Sequence, residues 1–304
     1  MTTVLDNSRI SKHLGKVSEY KDQYDPTLLV REPRCNNRKH LDISDDNLPF
    51  VGYDTWNAYE VSALTETGLP VTGVAKIVYP CDSKYIVESK SIKLYFNSFN
   101  MFKCGPSPDH AFSYIEDTAE KDLSKLLDTN VKVSIINDVT TGPVKLFNYN
   151  MYRTLEDHCD SNFETDVYIE TPELLEIDPH SFDQVDGSTK QFFHSGLLKS
   201  NCRVTSQPDW GDVFIYIKGQ NIIDPASLLR YIISFRDECH FHEEICETIY
   251  KRLHDVYLPS ELCVTCLYAR RGGIDINPVR ASSADLINDD LIDENVLHAK
   301  TLKQ

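Results

Sequence analysis

QFFHSGLLKSNCRVTSQPDWGDVFIYIKG, residues 191–219, reads as two strands on either side of a fold-back. The second half carries Val213, Phe214, Ile215, Tyr216 and Ile217 in one run, the β-branched and aromatic content of a buried strand. Between the halves stand Gln207-Pro208 and Trp210-Gly211; proline fixes φ and steers the residue before it away from helix, and glycine tolerates sharp turns. Downstream, Asp224-Pro225 supplies a cap and a first helical turn, so a helical segment is predicted from Asp224 to Tyr257. ELCVTCLYARR then returns as a strand. The order is strand, strand, helix, strand.

The same order recurs upstream in PVTGVAKIVYP, YIVESKSIKLYFNSF, an amphipathic helix in SPDHAFSYIEDTAEKDLSKLL, and the strand-like VKVSIINDV. Two α+β modules are expected, 1–160 and 161–304, with YNMYRTLEDHCDSNFETD as connector; the repeat rests on element order, because residue identity between the halves is slight. The first fifty residues read as a lead-in arm and the last twenty or so, rich in Asp and Asn, as a surface tail.

Length agrees with two modules: 304 residues are enough for two ordinary cores. With 41% hydrophobic and 26% charged residues the chain has the apolar surface to fold. A net charge of −16 opposes phosphate backbones and anionic lipid, so a small ligand is expected rather than direct nucleic-acid or membrane binding. MTTVLDNSRISKHLGK lacks the apolar run of a signal peptide and no stretch is long enough to span lipid, which implies a cytoplasmic protein. The nine cysteines form no dense framework and are expected to be reduced thiols.

Cys263 and Cys266 in CVTC are three apart on a predicted strand, hence on opposite faces, and read as core thiols rather than a metal or redox pair. Cys239, His242 and Cys246 share one stripe of the predicted helix, which zinc could use in principle; the stripe continues Leu228, Ile232, Phe235, Ile249 and Leu253, which favours a core face and no metal.

Neither a G-x-G-x-x-G fingerprint nor a G-x-x-x-x-G-K-[ST] loop occurs among the twelve glycines, which argues against Rossmann and P-loop sites. YARRGGIDINPVR offers another way to hold phosphate: Arg270 and Arg271 leave a strand beside Gly272-Gly273, giving guanidinium forks next to closely approachable backbone. A basic turn solvating a strand end explains it equally well. Cys202 and Asp209 would lie up to ~25 Å apart in an extended chain and meet only if it folds back. As a pair, the thiolate would attack an electrophilic carbon and the carboxyl would deliver a proton; a buried cysteine and a turn aspartate fit the spacing more simply. His242 and Glu243 diverge by about 100° on a helix and would touch different parts of one ligand. A carboxylate facing a pocket needs donors, which the N–H edge of a guanine-type base supplies; pairing of Glu243 with solvent or a lysine is the plain alternative. In VESKSIKLY, Glu88, Lys90 and Lys93 interrupt an apolar stretch, as a binding segment or an exposed edge would.

Taken together, ESKSIKLYFNSFN (88–100), LKSNCRVTSQPDWG (198–211), FHE (241–243) and RRGGIDINPVR (270–280) resemble, in order, the signature, nucleophile, base-binding and cofactor segments of the NADPH-dependent 7-cyano-7-deazaguanine reductases, the QueF family of queuosine biosynthesis, in its long two-module form. LGKVSEYKDQYDPTLL and FVGYDTWNAYEVSAL are also similar to that family's N-terminal stretches. The resemblance implies tandem tunnelling-fold (T-fold) modules, antiparallel sheets with helices on one face that join into a barrel, in a homodimer without metal. It implies reduction of the nitrile of 7-cyano-7-deazaguanine to the aminomethyl compound with two NADPH, through a covalent thioimide. Cys202 would be the nucleophile and Asp209 the proton donor, with His242 beside them. Val87, Glu88, Ser89, His242 and Glu243 would contact the substrate, and Ser89, Lys90, Arg271 and Gly272 would hold NADPH.

Three departures from the family pattern stand out: Ala63 where tryptophan is common, Arg203 where an apolar residue usually follows the nucleophile, and RDECH before Phe241. Arg203 is expected on the opposite strand face, with little effect. Competing readings are a cysteine-dependent nitrile or amidine hydrolase, which would release ammonia without NADPH, and a deazapurine-binding module with no catalysis.

Overall fold

A computed structural model describes residues 23–137, 144–145, 151–159, 163–179 and 188–304. The elements are β1 (Arg31–Pro33), α1 (Cys35–Arg38), β2 (Val51–Leu64), β3 (Pro70–Pro80), β4 (Tyr85–Val87), α2 (Ser89–Asn97), α3 (Pro108–Leu127), β5 (Lys132–Ile136), β6 (Val144–Lys145) and β7 (Arg153–Thr154). They continue as β8 (Thr189–Cys202), β9 (Pro208–Gly219), α4 (Pro225–Ser234), β10 (Cys239–His240), α5 (His242–Tyr257), β11 (Glu261–Tyr268), β12 (Ile274–Ala281), α6 (Asp289–Ile292) and β13 (Leu297–His298).

The α+β expectation holds, with one continuous sheet ordered β10-β8-β9-β11-β12-β2-β3-β5 and β7 also on β8. Residues 191–219 form the antiparallel β8–β9 hairpin, Asn201 opposite Pro208. The two halves meet at β12–β2, where eight residue pairs run antiparallel from Ile274↔Ala58 to Ala281↔Val51. Among the described residues the sheet stays open, β5 at one edge and β8 with its short partners at the other. On the helix side, one core gathers Ile92, Phe96, Ile115 and Leu123 under Trp56 and Ile77. A second gathers Leu228, Ile232, Ile249 and Leu253 under Ile215 and Val264. Cys266 belongs to that second core and Cys263 to a third on the far face, so the CVTC thiols do point opposite ways, and the nine cysteines carry no disulfide.

Several elements differ from the sequence reading. YIVESKSIKLYFNSF is not one strand: only Tyr85–Val87 is extended, and Glu88 caps a helix from Ser89. Of the charges that interrupt the apolar run, Glu88 is the buried cap of that helix, and Lys90 and Lys93 are half-buried in its first turns. The segment 224–257 is two helices separated by a 3-10 turn (Phe235–Asp237) and β10, so Cys239 shares no helix stripe with His242 and Cys246. Among the described residues no group of three His, Cys, Asp or Glu is placed to hold a metal. The central strands β2 and β12 were not predicted, because their buried positions include Asp54, Thr55, Asn57, Asp275, Asn277 and Arg280, which obscure an apolar pattern. The C-terminal segment is no loose surface tail: Leu291, Val296 and His298 are buried, and β13 pairs in parallel with β6. Of the lead-in arm, residues 1–22 lie outside the described residues; beyond them Leu28, Leu29, Arg34 and Arg38 are buried in the body. Among the described residues no helix is long and apolar enough to cross a membrane.

The buried charged residues at the β2–β12 seam pair with opposite charges. Arg280 donates to Asp54 Oδ1 at 2.8 Å and to Glu247 Oε1 at 2.9 Å. Arg38 meets Glu247 through Nε at 3.0 Å and Nη2 at 2.8 Å, and Arg34 pairs with Asp54. This joins α1 and the residue before it, β2, β12 and α5 through a cluster of opposite charges. Burial alone would raise the Glu247 carboxyl, but Arg280, Arg38 and Arg34 hold it at about 2. Because its folded pKa lies below the unfolded value of 4.5, its stabilisation is complete above pH 4.5 and is lost as pH falls towards 2. Glu247→Leu is expected to cost about 3–5 kcal/mol in urea unfolding at neutral pH, since it strands buried guanidinium groups. Measured near pH 3, the deficit against the parent chain should be smaller.

Candidate active site

Pro278 in β12 decides where the sheet opens. β11 pairs with β12 only from Cys263↔Ala281 to Thr265↔Val279, and the ladder stops where proline offers no N–H. Beyond it a cavity of about 210 Å³ is lined by Ile274 and Ile276 of β12, Trp56 of β2, and residues from four further segments. From the first half come Val87, Glu88, Ser89, Lys90 and Lys93; from the second, Cys202, Thr205 and Asp209, the run His240–Glu243, and Arg271 with Gly272. Every site residue carried over from the family resemblance therefore lines this one cavity, whereas Arg270 and Gly273 of the basic turn do not. His240, Phe241, Trp56, Lys93, Thr205, Ile274 and Ile276 were not assigned to it; no local pattern marks them, although Lys93 stood out as a charge in an apolar run.

The β8–β9 hairpin brings the thiol and the acid together. Ser200 faces Asp209 across the ladder, and Cys202, two residues on, shares that face. Diagonal neighbours of this kind lie about 7–8 Å apart between Cα atoms. The fold-back is closed by Cys202 N–H donating to Gln207 O at 2.8 Å, with Ser206 at φ 54° in the turn. Cys202 is half-buried, a free thiol at the end of its strand.

Asp209 is 3% exposed. Burial pushes its pKa up, but His242 and the guanidinium of Arg271 outweigh this and hold it below the usual carboxylate range. Arg271 Nη1 donates to Asp209 Oδ1, and His242 Nε2 lies 3.4 Å from Oδ2, an ion-pair distance too long for a good hydrogen bond. The His242 ring is stacked on Tyr268, centroids 3.8 Å apart, and neither ring nitrogen has a hydrogen-bond partner. His242 and Glu243 open α5 rather than sitting mid-helix, so both project from its first turn into the cavity.

Glu243 is 2% exposed, and its Oε1 has no hydrogen-bond partner. Burial, reinforced by Asp54 behind it and only partly offset by Arg34 and Arg280, pushes its carboxyl up to about 8. A buried acid with an unfilled acceptor is costly, and a ligand with two convergent N–H groups would satisfy it. Glu88 is engaged differently: its two carboxylate oxygens accept from Lys90 N at 2.9 Å and Ser91 N at 2.8 Å, capping α2. Burial raises its pKa, and those two N–H groups oppose the rise.

The basic rim has a graded availability. Lys93 is tied to Gly272 O at 2.9 Å and to Glu60 at 2.8 Å, and Arg270 lies over the Tyr59 ring at 3.4 Å. Gly272 and Gly273 turn with φ of 57° and 79°, and a Cβ on Gly273 would lie 2.6 Å from Glu60. Lys90, Arg271 and this glycine turn therefore present cations and close backbone at one mouth of the cavity, a donor set suited to the phosphates of a dinucleotide. Two outcomes are expected. Glu88→Ala should cost about 1 kcal/mol of stability by thermal or urea unfolding, through loss of the α2 cap. Difference infrared spectroscopy should show a carboxyl ionising near pH 8 that is absent from Glu243→Gln and moves down in Asp54→Asn.

Residues 20–135 match the family model described as nitrile reductase, 7-cyano-7-deazaguanine-reductase N-term, and residues 208–285 match that of QueF-like protein. Curated relatives named NADPH-dependent 7-cyano-7-deazaguanine reductase include one from Cupriavidus metallidurans, 41% identical over 88% of this chain and 92% of that one. Those from Coxiella burnetii (39% identical, 89% of this chain, 91% of that one) and Colwellia psychrerythraea (37%, 96% and 95%) extend the match to nearly the full length. The chain belongs to the family of 7-cyano-7-deazaguanine reductases.

Proposed function

We propose that this protein reduces the nitrile of 7-cyano-7-deazaguanine to 7-aminomethyl-7-deazaguanine with two NADPH, as a step of queuosine biosynthesis. The observation that carries the reading is the convergence of a free thiol, an anionic carboxylate and an unsatisfied buried acid on one cavity. Glu243 grips the N–H edge of the base. That anchors the bicycle with its cyano group towards Cys202, while Val87 and Glu88–Ser89 close the other side.

Asp209, held as a carboxylate, takes the proton of Cys202. Cys202 Sγ bonds to the nitrile carbon, one C–N π bond breaks, and Asp209 returns the proton to the nitrogen, leaving a neutral thioimide with atoms and charge balanced. A nitrile is a weak electrophile; the C=N formed on Cys202 is a better acceptor. Bound NADPH supplies the hydride equivalents, two per nitrile. Cys202 leaves as the thiolate after the first, so the carbon can be reduced again; the nitrogen takes one further proton with the second, relayed from solvent by His242 beside Asp209, and another solvent proton restores the thiol. Ser89, Lys90, Arg271 and Gly272 hold the cofactor's phosphates and exclude bulk water from that mouth.

The modules 1–160 and 161–304 supply opposite walls of this cavity. We further infer a cytoplasmic homodimer in which the sheets of two chains, each open among the described residues, close T-fold barrels. The charge of −16 favours the free base over tRNA as substrate. Adding 7-cyano-7-deazaguanine should oxidise two equivalents of NADPH, and Cys202→Ala should abolish this. In the absence of NADPH, intact-mass spectrometry should find an adduct at Cys202. Ammonia release without NADPH would indicate the hydrolase, and tight binding with no adduct would indicate a module that only sequesters the base.

A further inference from the structure

Arg203 was expected on the strand face opposite Cys202, with little effect. The structure corrects this: β8 ends at Cys202, so Arg203 is the first residue of the turn and is not bound to the strand's alternation. Its Nη1 lies 2.9 Å from Glu244 Oε1, and its guanidinium lies over the Phe241 ring, 5.4 Å from the centroid. Glu244 is almost fully buried and has a second role, because its Oε2 accepts from Phe241 N at 3.0 Å and so caps the start of α5. The same oxygen lies 3.4 Å from His240 Nδ1, and His240 Nε2 lies 3.1 Å from Glu238. Burial alone would lower the His240 pKa, but these two carboxylates raise it to about 9, so the ring joins the cluster as a cation.

We propose that Arg203 is a positioning residue that fixes the distance between the nucleophile and the base-binding acid. Resting on the function proposed above, the inference follows from where the pair sits. Arg203 is covalently next to Cys202 and Glu244 is covalently next to Glu243, so a single ion pair ties the two reacting ends of the cavity one residue away from each. Arg203 does not line the cavity, whereas Phe241 and His240 do, so it acts through the Phe241 ring, which it backs, and through the first turn of α5. The strand ladder gives a second tie at the same level: β10 runs parallel to β8 with His240 opposite Cys202. Without the guanidinium, a buried carboxylate keeps one backbone N–H and the His240 cation, and it gains by turning towards solvent. That turn releases the Phe241 N–H and with it the direction in which His242 and Glu243 leave the cap.

The test compares Arg203→Met, Arg203→Lys and Glu244→Gln with the parent protein. In steady-state turnover, Arg203→Met should raise KM for 7-cyano-7-deazaguanine about tenfold, equal to ~1.4 kcal/mol, with kcat within about twofold and NADPH binding unchanged. Arg203→Lys, which keeps the charge without the fork, should recover part of the loss, and Glu244→Gln should reproduce it. Hydrogen exchange of the free protein should quicken in the peptide spanning residues 239–246 in Arg203→Met and stay unchanged in α2. Unaltered KM and unaltered exchange in a folded Arg203→Met would overturn the proposal. So would a loss of NADPH binding equal to the loss of substrate binding, or unaltered KM and exchange in Glu244→Gln should Arg203→Met fail to fold. Absence of turnover and of a Cys202 adduct in the parent protein would defeat the function itself, a result separate from the exchange measurement.

Discussion

A cluster of buried charge governs this fold. Arg34, Arg38 and Arg280 face Asp54 and Glu247 where β2, β12, α1 and α5 meet, with no solvent to share the load. Unpaired, any of these groups would be costly; paired, they let two halves of the chain be joined by strands too polar to form an ordinary apolar seam. The cluster also acts on the acid of the cavity. Asp54 lies behind Glu243 and opposes its ionisation, while Arg34 and Arg280 pull the other way. Whether the site acid donates or accepts is therefore set by the same groups that hold the halves together.

The two cavity carboxyls are driven in opposite directions by their surroundings, although both are buried. Asp209 has Arg271 and His242 at hand and is held anionic; Glu243 has an aspartate behind it and an empty acceptor in front. On the function proposed above, this separation divides the work: Asp209 would move protons at Cys202 and Glu243 would recognise a ligand edge. Arg271 serves two ends at once, since it pairs with Asp209 from the mouth where Lys90 and Gly272 stand. Cofactor phosphates that draw on Arg271 would bear directly on the charge of Asp209.

Strand geometry does much of the positioning. The β8–β9 hairpin makes Cys202 and Asp209 neighbours on one face, and the β11–β12 ladder ends at Pro278, before the strand residues Ile276 and Ile274 that line the cavity. Helix ends supply the rest: Glu88 caps α2 and Glu244 caps α5, so the residues beside each cap leave the helix in a fixed direction. Arg203 binds one of these caps to the nucleophile turn.

The sequence alone determined the α+β class, the hairpin of residues 191–219, the helix of residues 107–127, and, through resemblance, ten of the residues that line the cavity. These features are local: apolar runs, proline and glycine punctuation, caps, and short motifs. The structure alone decided that ESKSIKLYF is a helix, that 224–257 is two helices with His242 and Glu243 at a start, and that β2 and β12 are central strands. It also decided that the C-terminal segment is packed and that Arg203 faces Glu244. For the central strands, the packed C-terminal segment and Arg203 the deciding partner is distant in sequence. Asp54 and Arg280 can be buried in strands only because they meet each other across the seam, and no window of neighbouring residues carries that information.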